Sequence, residues 1–355
     1  MSKSSDNRQN VVVVGGGGAG APTARQLSTT LDPTKYNLII VTARPYFLHL
    51  PGSIRATVTP EGDFHEQVTM PYDKLFVNGN GTIVTGEVTS IADEGEGGGY
   101  VEWRADPPET SQWFKDWNAK FEKADDILLV GGGAVAIEFA GEIKDLNPAK
   151  KVTIVHGNDR ILNDAYPEKF RKDVERRLRL RGVELVLGDI VPEAAAANSV
   201  EKPITTRNGK VLTPDLVIPC RGSRPNTAFI AASLGADVLA PSGFVPVEPT
   251  FQIPGHPRIF AAGDIADLKE QKQVAKYGGH ASVIAANILS VLDGQKAVQS
   301  YKGASEMIVL TIGKNGGAAF FGVLWGLMFG DWVSSLIKSK TLLTPLVRKG
   351  LGLHN

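Results

Sequence analysis

The chain has 355 residues, 42% hydrophobic and 21% charged, the balance of a globular protein with more than one core. Lys plus Arg and Asp plus Glu both number 38, so no net field draws it to nucleic acid, which is set aside as a partner. The single cysteine, Cys220, excludes an intrachain disulfide and a Cys-x-x-Cys redox pair and suits a reducing cytoplasm; with six His it offers no metal-ligand spacing.

The opening residues, MSKSSDNRQN, are polar, without an apolar signal region, and Ser2 stands where N-myristoylation needs glycine. No run reaches the length that spans a bilayer. Val11 to Val14 reads as a strand buried on both faces at the centre of a parallel sheet. It runs into Gly15-x-Gly17-x-x-Gly20 and then a helical stretch with Ala21, Ala24, Leu27 and Leu31 at three- and four-residue steps. In that context Gly15 permits the tight turn, Gly17 lets a pyrophosphate approach the backbone, and Gly20 lets helix and strand pack closely. The helix N-terminus adds free N–H groups and a positive dipole end for phosphates.

Tyr36 to Thr42 reads as the second strand. Its end usually carries a ribose-binding acid; here Thr42-Ala43-Arg44 stands, and Arg44 reads either as a phosphate or adenine contact or as a solvated side chain. An apolar aromatic loop, Pro45 to Gly52, follows, then Ile54 to Val58. Val68 to Val77 reads as a linker and Gly81 to Ile91 as a strand pair, with Gly86-Glu87-Val88 offering backbone to an adenine ring. Asp93 to Gly99 is a flexible tip or loop. Trp113, Phe114, Trp117 and Phe121 share one face of a helical piece, a stripe read as core rather than as a ring-stacking site.

Ile127 to Glu138 repeats the first pattern: apolar strand, Gly131-x-Gly133-x-x-Ala136, helix. One such unit suits a dehydrogenase; two suggest a pair of nucleotide-binding domains and a flavin fed by a nicotinamide. Lys151 to Val155 is a strand ending at His156, where the second ribose-binding acid would stand. His156 suits a ribose hydroxyl and Arg160 a 2′-phosphate, which leaves NADH against NADPH open. Glu168 to Arg181 is a charged amphipathic helix whose basic run, Arg176-Arg177 to Arg181, reads as a solvated face. Val183 to Leu187 is a strand, Ile204 to Leu212 a hairpin around Asn208-Gly209, and Asp215 to Pro219 a buried strand ending at Cys220-Arg221-Gly222.

From Arg258 to Asp264 an apolar strand delivers Gly263-Asp264 to its C-terminal end, where ligands sit in open α/β sheets. Asp264 can accept bonds from a hydroxyl pair or cap the next helix. A helix is predicted after Lys269, running through Ala285 to Leu289 and aiming its N-terminus at the same ligand. Ala318 to Trp332 is apolar and aromatic, with Lys338, Lys340, Arg348 and Lys349 beyond it. That run reads as an interfacial contact with a membrane surface, or as a strand and helix packed on the flavin domain or a dimer partner; the two are compatible.

Several stretches, taken together and in order, resemble the FAD-dependent pyridine-nucleotide oxidoreductases, and within them the apoptosis-inducing-factor-like, ferroptosis-suppressor-like proteins, fungal members included. They are VVVVGGGGAGAPTARQL, RPYFLHLPGSIR, ILLVGGGAVAIEFAGEI, SRPNT, IFAAGDIAD, EQKQVAKYGGHASVIAANI, GKNGG and SKTL. The resemblance implies an α/β fold of two Rossmann-like dinucleotide-binding domains. The FAD domain would be split over 1–122 and 243–302 around an inserted NAD(P)H domain at 123–242, with a C-terminal segment at 303–355. It implies that Gly15, Gly17 and Gly20 hold the FAD pyrophosphate, Asp264 its ribityl chain and the Val88 backbone its adenine. Gly131 and Gly133 would hold NAD(P)H, with Glu138 as the catalytic-site residue near the nicotinamide–flavin stack. The implied activity passes hydride from NAD(P)H to FAD and on to a quinone or other acceptor, in the cytoplasm or peripheral to a membrane or lipid-droplet surface.

Three departures stand out. Between Tyr100 and Pro108 the family returns through a strand and a Gly turn; here YVEWRADPP stands. Cys220-Arg221-Gly222 replaces the usual Ala-Thr-Gly, and the acids ending both second strands are missing. A second reading is therefore a catalytically impaired nucleotide-binding regulatory or interaction protein with a degraded FAD site. A third, a single-cofactor dehydrogenase, requires one glycine unit to be empty.

Overall fold

The computed structural model describes residues 7–93, 99–104, 110–193, 203–222 and 224–353. The first unit opens with β1 (Gln9–Val14), α1 (Gly20–Thr30), β2 (Tyr36–Thr42), β3 (Tyr46–Leu48) and α2 (Leu50–Val58). It continues through α3 (Phe64–Val68), β4 (Thr69–Pro71), β5 (Thr82–Thr85), β6 (Glu87–Asp93), β7 (Gly99–Arg104) and α4 (Thr110–Lys123). β-branched β1 pairs in parallel with β2, Val11 opposite Leu38 and Val13 opposite Ile40, and β2 pairs with β5. Helix α1 covers one face of this three-stranded sheet, setting Ala21, Ala24 and Leu27 against Val11 and Val13.

The expectation that Val11 to Val14 lies at the centre of a sheet is corrected. Among the described residues β1 has one strand neighbour, and Val12 and Val14 stay 38% and 43% exposed. The cause is seen at Tyr100 to Arg104; the rest of the stretch to Pro108 lies outside the described residues. β7 does not return to the sheet but folds back antiparallel on β6, Ile91 opposite Val101. The pair β6–β7 forms its own two-stranded ribbon, and among the described residues nothing pairs with the outer edge of β1.

The second unit comprises β8 (Asp126–Val130), α5 (Ala134–Leu146), β9 (Lys151–His156), α6 (Glu168–Leu180), β10 (Val183–Leu187), β11 (Ile204–Thr205), β12 (Val211–Leu212) and β13 (Leu216–Pro219). Here the returning strand exists. β13 pairs in parallel with β8, completing the order β10-β9-β8-β13. Flanked on both sides, Ile127, Leu128, Leu129 and Val130 are buried. Two units with the same strand–glycine–helix start thus differ in core burial by one strand.

The chain then runs through α7 (Ala228–Leu234), β14 (Gln252–Ile253), β15 (His256–Phe260) and α8 (Tyr277–Leu292). Regular helix begins at Tyr277 rather than soon after Lys269, and α8 packs on α1. β16 (Met307–Thr311), β17 (Gly317–Phe321) and β18 (Leu327–Phe329) form an antiparallel sheet, followed by α9 (Asp331–Ser334) and α10 (Thr344–Gly350). Leu310, Ile312, Ala318 and Phe320 join the core of the second unit, whereas Val347 and Leu351 of the same segment pack into the first. The aromatic stripe of α4 is core only in part: Phe114 and Phe121 are buried and Trp113 is exposed. The basic face of α6 is not simply solvated either. Arg177 pairs with Asp173 and with Asp331, both at 2.7 Å, tying α6 to the start of α9.

Candidate dinucleotide-binding site

The first glycine loop has the stereochemistry a pyrophosphate cradle needs. Gly15 sits at φ +92°, in the region that favours glycine, and its N–H donates to the Val41 carbonyl at 2.7 Å. A Cβ at Gly17 would meet nothing within 4 Å, whereas one at Gly20 would lie 1.8 Å from the Gly15 carbonyl oxygen. Only glycine at residue 20 therefore lets α1 close on the turn. The Tyr72 hydroxyl donates to the Gly16 carbonyl at 2.7 Å, and burial pushes that phenol up to about 12. At the end of β2, the Thr42 carbonyl accepts from Gly86 N–H at 2.8 Å, which brings Arg44 and the start of β6, with Val88, to one place. The Arg44 Nε is buried there without a partner.

Asp264 comes to the same loop from far along the chain. Its short turn, Gly263–Ile265, follows β15, and a Cβ at Gly263 would sit 2.9 Å from the Ala19 methyl. The Tyr277 hydroxyl donates to Asp264 Oδ1; burial first, then this carboxylate, holds the phenol far above its ordinary value. Beneath the turn, Gly263 N–H donates to His280 Nδ1 at 3.3 Å, and His280 Nε2 meets Glu270 Oε1 at 2.9 Å. Burial lowers the affinity of His280 for a second proton, in keeping with one accepting and one donating nitrogen. Lys276, buried, donates to Glu306 at 2.6 Å. Sequence reasoning passed over Tyr277, His280 and Glu270. The density of titratable residues in EQKQVAKYGGH was the available signal.

The second cradle follows the same plan. Gly131 has φ +122°, and a Cβ there would lie 2.5 Å from the Cys220 carbonyl oxygen at the end of the returning strand. Gly133 is open and Ala136 is buried. The His156 ring lies against Gly132, and its Nε2 is buried without a partner. Burial depresses the His156 pKa, so the ring is neutral at neutral pH. Arg44 and His156 hold the same place in the two units, at or just past the end of the second strand, and each keeps an unsatisfied buried nitrogen there. A buried polar atom without a partner is uncommon and calls for a ligand or a water. Two at matching positions fit the adenosine end of a dinucleotide in each cradle.

One segment joins the cradles. Leu162 N–H donates to the Gly132 carbonyl at 2.8 Å, and its neighbour Asn163 donates to Gln271 Oε1 at 2.7 Å. Gln273 donates to the Tyr166 hydroxyl at 2.8 Å, and Val274 lies against Gly18 of the first loop. Gln271 to Val274 therefore lies against the first loop and bonds the segment that holds the second.

Glu138 lies on α5, buried, and accepts from Lys338 Nζ at 2.6 Å and from Thr311 N–H at 3.1 Å. One turn later Glu142 accepts two bonds from Arg55 of α2, at 2.7 and 2.8 Å, while Arg55 also donates to the carbonyls of Ser339 and Lys340. Burial pushes the Glu142 carboxyl above its usual range, with Arg55 pulling the other way. The pair lines a cleft of about 680 Å³ together with Lys314, Lys340 and Arg348. His49, at the start of α2, is buried with Nε2 2.6 Å from the Leu342 carbonyl oxygen. Lys338 and Arg55 carry no local sequence signal, because their partners stand 200 and 87 residues away.

The family model of the pyridine nucleotide-disulphide oxidoreductases matches residues 107–286. The chain is 40% identical over 319 residues to the FAD-dependent oxidoreductase FVFD30 of Flammulina velutipes, a match covering 83% of this chain and 98% of that protein. It is 30% identical over 300 residues to ferroptosis suppressor protein 1 of Taeniopygia guttata, covering 78% and 79%. Among solved structures, the water-forming NADH oxidase of Lactobacillus brevis bound to NADH shares the fold with a TM-score of 0.67 at 18% identity, covering 88% of this chain and 75% of that one.

Proposed function

This chain belongs to the pyridine nucleotide-disulphide oxidoreductase family, and on that footing we propose that it is an FAD-dependent NAD(P)H oxidoreductase whose acceptor is a quinone. The observation that carries this reading is the pair of open glycine cradles, each with an unsatisfied buried nitrogen at its adenosine end, joined through Gln271 to Val274. When bound, FAD supplies a two-electron carrier between nicotinamide and acceptor. Gly15, Gly17 and Gly20 would hold its pyrophosphate, Arg44 and the Val88 backbone its adenosine end. Asp264 would turn from the Tyr277 hydroxyl to the ribityl hydroxyls. Gly131, Gly133 and His156 would hold the nicotinamide nucleotide. Glu138 is offered as the residue beside the reacting rings; paired with Lys338, it presents a neutralised donor–acceptor unit rather than a bare buried charge.

Support for an apolar acceptor comes from the outer face of the C-terminal segment. Trp325 is fully exposed at a hairpin tip, with Leu324, Trp332 and Leu336 also exposed. The acid in that stretch, Asp331, is neutralised by Arg177 and Arg181. Aromatic tips without unpaired charge suit a lipid interface where a quinone partitions, and equally the face of a second copy. No helix among the described residues is long and apolar enough to cross a membrane.

The open edge of β1 favours a second reading, a nucleotide-binding protein with an impaired FAD site. Reconstitution with FAD, anaerobic titration with NADH and addition of a short-chain quinone separate the two. Flavin absorbance that bleaches and returns with the quinone supports the enzyme. Protein that stays colourless while binding NAD⁺ favours the impaired site.

A further inference from the structure

Resting on the nicotinamide reading of the second cradle, we propose that this chain selects NADH over NADPH, because Arg160, the cation its sequence offers to a 2′-phosphate, is held away by a buried carboxylate. Arg160 Nη1 lies 3.0 Å from Glu175 Oε2, and its Nε 3.9 Å from Glu168. The Glu175 side chain is only 2% exposed, and it also accepts from Ile161 N–H at 3.4 Å. Releasing Arg160 would leave Glu175 with Arg179, a longer 3.4 Å contact from an exposed helix position. A carboxylate taken out of water depends on its partner far more than an exposed one does, so Arg160 stays with Glu175.

Two carboxylates lie near the end of β9. Asp189 N–H donates to the His156 carbonyl at 3.1 Å, which sets Asp189 beside it, and Asp189 is fixed by Thr206 at 2.6 Å and Asn208 N–H at 3.0 Å. Asp159, in the loop after β9, approaches the same corner at Gly188. Arg207 stands at that corner too, its Nη2 engaged by the Gly188 carbonyl at 3.1 Å. The His156 Nε2 is buried without a partner beside Gly132, and burial disfavours the charged ring. A ribose 2′-hydroxyl can donate to that nitrogen. A 2′-phosphate has no proton to offer at neutral pH and would bring two charges against Asp159 and Asp189.

The test is equilibrium dialysis of the purified protein with NAD⁺ and NADP⁺, which reads binding without turnover. NAD⁺ should bind at least about tenfold tighter. Glu175→Gln frees Arg160 and should tighten NADP⁺ about tenfold while moving NAD⁺ less than about threefold; a melting curve checks that the variant folds. Arg160→Ala in the wild-type background should leave the weak NADP⁺ binding nearly unchanged. NADP⁺ binding as tightly as NAD⁺, or a tenfold loss of NADP⁺ alone in Arg160→Ala, overturns the selectivity. Binding of neither nucleotide overturns the nicotinamide reading itself, and the inference with it.

Discussion

Removing the Arg55 guanidinium should strongly destabilise the fold, with a pH dependence that identifies the cause. Arg55→Ala deletes two bonds to Glu142 and one each to the Ser339 and Lys340 carbonyls, all at 2.6 to 2.9 Å. It strands a carboxylate whose side chain is 7% exposed. Stranding one member of a buried pair costs about 3–5 kcal/mol, a large share of the roughly 5–15 kcal/mol that keeps a domain folded. Burial already raises the Glu142 pKa against the pull of Arg55, and the variant removes that pull. An acid with a folded-state pKa above its unfolded value binds its proton more tightly when folded. The penalty is therefore full above the raised value and fades as pH falls towards the unfolded one. Urea titrations should show a larger deficit near pH 8 than near pH 5, by about 1 kcal/mol or more. The double variant Arg55→Met, Glu142→Leu should recover at least about half of the loss, since no charge is left buried. A deficit below about 1 kcal/mol, one flat with pH, or a double variant as unstable as the single would refute the reasoning.

Gly17→Trp and Gly133→Trp should separate the two cradles, because a Cβ at either position meets nothing and the fold survives while the indole fills the nucleotide space. The first should lose flavin absorbance and keep NAD⁺ binding in dialysis, the second the reverse; both variants losing the same ligand would break the two-site assignment. Val14→Thr on the open edge should cost no more than about 0.5 kcal/mol, whereas Ile127→Ala in the flanked β8 should cost about 2–5 kcal/mol. Equal losses in urea titrations would mean that β1 is covered.

Much of the fold was legible because its signals are local. A run of β-branched residues entering a glycine turn, then a helical period, needs nothing beyond a dozen neighbours, and it placed both glycine turns, Ala136 and the hairpin at Gly209. The strand that ends just before Asp264 was readable for the same reason, but among the described residues that strand, β15, pairs only with β14 in a two-stranded antiparallel ribbon and does not join an open parallel sheet. The start of α8 was misread because Lys269 to Lys276 is busy with ion pairs and turns that override helix propensity, and Lys276 is drawn to Glu306. The stripe on α4 reads as core rather than as a ring-stacking site, yet periodicity says which residues share a face and not how much partner surface awaits them, and Trp113 stays exposed.

From its sequence alone, this chain was bound to form two mononucleotide-type cradles in an α/β architecture, since glycine stereochemistry and strand periodicity act over a few residues. Tertiary structure alone decided that the residues after Tyr100 pair back on β6, that Lys338 neutralises Glu138, and that Glu175 holds Arg160. Those outcomes turn on which charges and edges meet, and over what distance, and only packing sets that.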